Sequence, residues 1–99
     1  MSAFALTNKA KADLRAIAIF TEERWGKEQR NLYIKQFDDA FHLLVDSPLA
    51  GKVCDYIKDG YRKFPLGSHL IFYKEHNNVI EIIRILHKSM DVDAKFTSS

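Results

Sequence analysis

The hydrophobic period of this chain changes once, at Pro48, and that switch limits the folds open to it more than any other feature. Before Pro48 the apolar side chains recur every three to four residues; after it they come in short runs, as they do in strands. Ala10, Leu14, Ile17, Ala18, Thr21 and Trp25 fall at offsets 0, 4, 7, 8, 11 and 15, which is one stripe of a helix. Thr7 or Asn8 is placed to cap that helix by accepting a hydrogen bond from a free N–H of its first turn. Gly26 stands where a helix closes in a left-handed residue, a conformation free of Cβ strain only in glycine. Tyr33, Phe37, Ala40, Phe41 and Leu44 then repeat the stripe, until Pro48 disfavours helical geometry at Ser47. Two helices joined through one glycine make an antiparallel hairpin, and Trp25, on the apolar stripe, reads as its packing anchor.

The remaining signals are strand-like. Ala3–Leu6 reads as an edge strand. Ala50–Gly60 is a loop or a weak strand around Lys52–Asp55, and Tyr61–Phe64 is a short strand ended by Pro65 and Gly67. Ser68–Lys74 and Val79–His87 are rich in Ile, Val and aromatics, and the polar Glu75–Asn78 between them predicts a hairpin. Lys88–Ser99 reads as a turn followed by a frayed tail from about residue 92. The fold class is therefore α+β, an N-terminal helical hairpin on a small, mainly antiparallel sheet.

Strict alternation along the last strand puts Ile80, Ile82 and Leu86 around Arg84 on one face, and Val79, Ile83 and Ile85 beside Glu81 and His87 on the other. Both faces are apolar, as are Leu70 and Phe72 against Ile71 and Tyr73. A helical hairpin covers one face only, so the second is covered either by the curled sheet's own small core or by a partner chain. Arg84, within an apolar face, needs an acceptor, solvent or a partner's carboxylate.

A length of 99 residues fits one domain, residues 1–99. Lys and Arg number 15 against 13 Asp and Glu, seven and seven in residues 1–49 and eight and six in residues 50–99. That spread leaves no basic stripe, so strong DNA binding by the chain alone is not expected. A single Cys excludes an internal disulfide and suits a reducing cytoplasm. Ala16–Phe20 and Leu70–Tyr73, the longest apolar stretches, are far too short for a bilayer, and the N-terminus lacks the pattern of a signal peptide. The four His residues and Cys54 show no metal-ligand spacing, so neither a metal nor another cofactor is expected.

The ordered set of motifs resembles the ParE branch of the RelE/ParE toxins. It comprises Leu6-Thr7, Ala10, Asp13-Leu14, Trp25-Gly26, Phe41, Leu44, Pro48 and Gly51. Gly60-Tyr61-Arg62, Ser68-His69 with Ile71-Phe72-Tyr73, and Arg84-Ile85-Leu86-His87 with Met90-Asp91 follow. The resemblance runs from Ala3 to Asp91 and implies a helical hairpin on a curled, mainly antiparallel sheet. It implies a toxin of a type II toxin–antitoxin system that inhibits DNA gyrase by binding, and a ParD-like antitoxin whose C-terminal segment buries apolar surface. Arg62, Ile82, Arg84 and Leu86 are the candidate antitoxin contacts; Arg84, His87, Met90 and Asp91 are the candidate gyrase contacts.

RelE relatives are instead ribosome-dependent mRNA endoribonucleases. Such chemistry needs cations at the scissile phosphate and a proton donor or acceptor near the 2′-hydroxyl. Arg62 matches the first cation of that pattern, His69 stands where those nucleases carry a second Arg, and His87 matches a later His. Met90-Asp91 replaces an aromatic or basic residue, so the constellation is incomplete and no catalytic residue is assigned. His69 and His87 read first as hydrogen-bonded structural residues. A non-toxic relative kept as a binding module or operon co-repressor is the third alternative.

Overall fold

A computed structural model describes residues 3–90 and Phe96. Strand β1 (Ala3–Leu6) leads into helix α1 (Asn8–Trp25), and helix α2 (Lys27–Asp46) doubles back along it. Strands β2 (Lys52–Val53), β3 (Arg62–Leu66), β4 (His69–His76) and β5 (Val79–His87) follow. The sheet order is β1-β5-β4-β3-β2, with β1 parallel to β5 and every other pair antiparallel.

The helix boundaries follow from local chemistry. The Thr7 hydroxyl accepts the Ala10 N–H and caps α1. Gly26, at φ +93°, closes α1 by donating its N–H to the Glu22 carbonyl and links directly to α2. Ala10 and Ile17 from α1 meet Phe37, Ala40, Phe41 and Leu44 from α2, over Ile71, Tyr73, Ile80, Ile82 and Ile85 of the sheet. Trp25 is not in this core: its indole is 61% exposed. The stripe reaches the bend of the hairpin there, where α2 has only just begun.

Three strand expectations change as well. β3 runs through Pro65 to Leu66 instead of ending before it. β2 pairs only with Arg62 and Lys63, so Pro65 sits where β3 has one neighbour and its missing N–H costs no ladder bond on the open side. β4 extends to His76, which shrinks the hairpin turn to Asn77 and Asn78, both at positive φ (52° and 64°) as a tight two-residue turn requires.

The third change concerns sidedness. Tyr73 pairs with Ile82 but Phe72 pairs with Arg84, so Ile83 is an extra residue and β5 bulges. Alternation therefore flips at that point. Ile80, Ile82 and Ile85 face the helices, whereas Leu86 and Ile83 face away, so Ile82 and Leu86 do not share a face as strict alternation predicts. The far face is covered by the chain itself: Cys54, Tyr61, Phe72 and Leu86 form a second cluster, flanked by Ile57, Leu70, Ile83 and Phe96. Of the predicted tail over residues 92–99, only Phe96 lies among the described residues, and its ring packs 5.2 Å from Phe72 and 5.8 Å from Tyr61.

Candidate functional site

The start of α1 ties down the bulge. β1 stops at Leu6, opposite Ile82, and past that point Thr7 and Asp13 take over the edge of β5. The Thr7 N–H donates to the Ile82 carbonyl (3.0 Å) and its hydroxyl to the Ile83 carbonyl (2.8 Å). Asp13 accepts from Arg84 Nε (2.7 Å) and Nη2 (2.9 Å), a two-pronged pair, and also from the Ile85 N–H (3.0 Å). Both side chains of the pair are 15% exposed. The acceptor that Arg84 needs is thus internal, and these hydrogen bonds hold its proton more tightly, burial opposing them.

Arg62 is likewise engaged with its own chain. Its Nη1 donates to the Gly51 carbonyl (2.7 Å), closing the loop that precedes β2. The buried Tyr73 hydroxyl holds the same loop, accepting the Gly51 N–H (2.8 Å) and donating to the Pro48 carbonyl (2.7 Å). A Cβ at Gly51 would lie 2.5 Å from that oxygen and 2.9 Å from the Lys63 carbonyl, so only glycine fits. Burial raises the Tyr73 pKa, against the opposing effects of the Gly51 hydrogen bond and Arg62, and the hydroxyl keeps its proton.

His69 and His87 do come together. They are cross-strand partners on β4 and β5, with ring centroids 5.3 Å apart. Tyr33 of α2 places its hydroxyl 2.8 Å from His69 Nδ1. Burial, then the neighbouring His87, lower the His69 pKa, so the ring is neutral at pH 7. The Tyr33 hydroxyl also donates to the Leu66 carbonyl (3.3 Å), so it ties His69 to the β3–β4 turn, the direction of its bond with Nδ1 following the imidazole tautomer. His87 Nδ1 accepts the Ser89 N–H (3.1 Å) and meets the Ser89 hydroxyl (2.7 Å). Arg62 is elsewhere. It pairs with Tyr73, four residues up β4 from His69, which is about 13 Å along the strand.

Around the imidazole pair lie two joined clefts of about 760 and 410 Å³, which share Phe20, His69 and His87. Arg24, Trp25 and Gln29 extend the larger cleft past the hairpin bend; Met90 ends the smaller. Phe20 and Trp25 meet edge to face at 6.2 Å, with the Arg24 guanidinium over both rings. Of the sequence candidates, His69, His87 and Met90 line this groove. Ile82 and Leu86 are at most 1% exposed and lie in separate clusters, offering no surface to a partner in this arrangement. Asp91 lies outside the described residues. Sequence reasoning did not single out Phe20, Arg24 or Tyr33. Phe20 sits ten positions after Ala10, off the helical stripe, which is the one sequence signal that it faces outward.

Among the described residues no three His, Cys, Asp or Glu side chains gather as metal ligands, and no helix is long and apolar enough to cross a membrane. The family described as the ParE toxin of the type II toxin–antitoxin system parDE matches residues 4–92. A Mycobacterium tuberculosis protein named Toxin ParE1 is 38% identical over 93 residues, covering 93% of this chain and 95% of its own. Toxin ParE1 of Caulobacter vibrioides is 37% identical over 94 residues, covering 95% and 97%. In fold, the chain resembles a solved structure described as a chromosomal ParDE TA system from P. aeruginosa. The TM-score is 0.74 at 24% identity, over 88% of this chain and 95% of that one.

Proposed function

The chain belongs to the ParE toxin family of type II toxin–antitoxin systems, and from that premise we propose that it inhibits DNA gyrase by binding and is neutralised by a ParD-like antitoxin. The observation that carries the binding mode is how its arginines are used. Arg62, the one cation that matches the nuclease pattern, donates to the Gly51 backbone, and Arg84, the other strand arginine, is paired with Asp13, so both serve the fold. Phosphodiester cleavage needs such charge aimed at the reacting group. An inhibitor by binding needs only a complementary surface, and it works without cofactor or metal. The protein acts in the cytoplasm, where its single Cys stays reduced.

Arg62 is where the antitoxin's charge is met. Arg62 keeps guanidinium N–H groups beyond the one given to Gly51, and an acidic antitoxin side chain is their partner. Arg84 contributes through Asp13 by fixing the strand end that carries His87 and Met90, the residues turned toward gyrase. The ribonuclease alternative draws on one observation, the meeting of Tyr33, His69 and His87, but Arg62 is a strand length away from them.

The experiment is a supercoiling and cleavage assay with purified gyrase, DNA and this protein, with and without antitoxin. Linear, gyrase-linked DNA that accumulates and then disappears on adding antitoxin is the expected result. No effect at several-fold excess over gyrase would refute the reading. Ribosome-bound mRNA cleavage with Arg62→Ala and His87→Ala would be tested next.

A further inference from the structure

The bend of the helical hairpin leaves an apolar groove that the fold does not use. Phe20 is 55% exposed, Trp25 61% and Met90 42%, around the two joined clefts described above. We propose that this groove is the face that grips the target enzyme, receiving an acidic segment of it that carries apolar anchors; the proposal rests on the reading that the protein acts on gyrase by binding.

Charge identifies the occupant. Among the described residues Asp13 is the only carboxylate lining either cleft, and both its oxygens are taken by Arg84 and the Ile85 N–H. The one charged group the groove presents unpaired is therefore the Arg24 guanidinium, beside the Gln29 amide and the two imidazoles, which add donors to it. Their Nδ1 atoms already face Tyr33 and Ser89. A partner's carboxylate is the group that satisfies such a set, with its apolar side chains over Phe20, Trp25 and Met90. Trp, Arg, Phe and Met are also the residue types that carry binding energy at protein interfaces.

Affinity points the same way. An inhibitor that works by binding alone needs apolar surface to bury. The far face of the sheet is already covered by the chain's own Tyr61, Ile57 and Phe96. The other large exposed apolar side chains, such as Leu32, Leu49 and Tyr56, line neither cleft.

The test measures half-inhibition of purified gyrase by the wild type, Trp25→Ala, Arg24→Glu, Trp25→Phe and Leu49→Ala, with antitoxin affinity of each by calorimetry. Trp25→Ala and Arg24→Glu are each expected to need about tenfold more protein or greater, the scale of a hot-spot loss. Trp25→Phe keeps a ring and loses less, Leu49→Ala loses nothing, and antitoxin affinity stays within about twofold throughout. Circular dichroism checks that each variant folds; Arg24→Glu, on an exposed side chain, carries the test if Trp25→Ala does not. Unchanged inhibition by Trp25→Ala and Arg24→Glu overturns the proposal. A parallel loss of antitoxin affinity overturns it too, since the groove would then be the antitoxin's. A wild type inert toward gyrase removes the parent reading and the proposal together, and is seen before any variant is compared.

Discussion

On one side of the sheet, two helices of 18 and 20 residues bring Ala10 and Ile17, and Phe37, Phe41 and Leu44, onto Ile71, Ile80 and Ile82. On the other, among the described residues, only the loop between β2 and β3 and Phe96 lie over Phe72 and Leu86. The strands are as apolar on one face as on the other, yet what covers them differs in kind. The helix side is assembled from distant segments. The loop on the far side is instead held locally, folded on itself by hydrogen bonds from the Cys54 N–H to the Tyr61 carbonyl and from the Ile57 N–H to the Cys54 carbonyl. A strand's apolar faces thus say that cover exists, and say nothing of how much chain supplies it.

Substitutions on the two sides test that contrast. The largest effect is expected for Phe37→Ala, which opens a cavity under both helices and costs about 4 kcal/mol in denaturant unfolding. A loss below about 1 kcal/mol would place the main core elsewhere. Next comes Asp13→Ala, which strands the Arg84 charge and the Ile85 N–H and costs about 3 kcal/mol. The double change Asp13→Leu with Arg84→Met removes both charges, and most of that loss should return. Phe96→Ala, on the thinly covered side, is expected to cost about 1 kcal/mol because the ring is only half-buried. If it costs as much as Phe37→Ala, the far face is a second main core and the contrast fails.

The smallest effect is one of pH. His69 is half-buried with its pKa lowered, so the unfolded chain binds its proton more readily than the folded one. Stability from this group is complete above the unfolded value of about 6.5 and falls as the pH drops below it toward the folded pKa. Thermal melts at pH 7.5 and 5.5 should differ in that direction, and His69→Gln should narrow the difference.

Much of this architecture is legible in the residues, for identifiable reasons. The stripes from Ala10 and from Tyr33 hold their period because each helix packs along its length on one surface, and Gly26 and Pro48 mark the breaks. Leu86 is misplaced by counting because a bulge resets alternation, and Ile83 looks like any other strand residue. Trp25 is misplaced because period alone does not reveal where the facing helix begins. Arg84's need for an acceptor is legible, but Asp13 as that acceptor is not, being 71 residues away. The groove is the least legible part, for it is built where the end of α1, the start of α2, the β3–β4 turn and the end of β5 converge.

The exposure of Trp25 has a spectroscopic consequence. It is the only tryptophan in the chain, and its indole is wet in the folded protein as it would be in the unfolded one. Its emission therefore changes little when the fold melts, and that signal has to come from the buried Tyr73 or from the backbone. When something closes over the hairpin bend, the same indole loses its water and its emission moves to the blue. The molecule carries one tryptophan, tuned to coverage and quiet to unfolding.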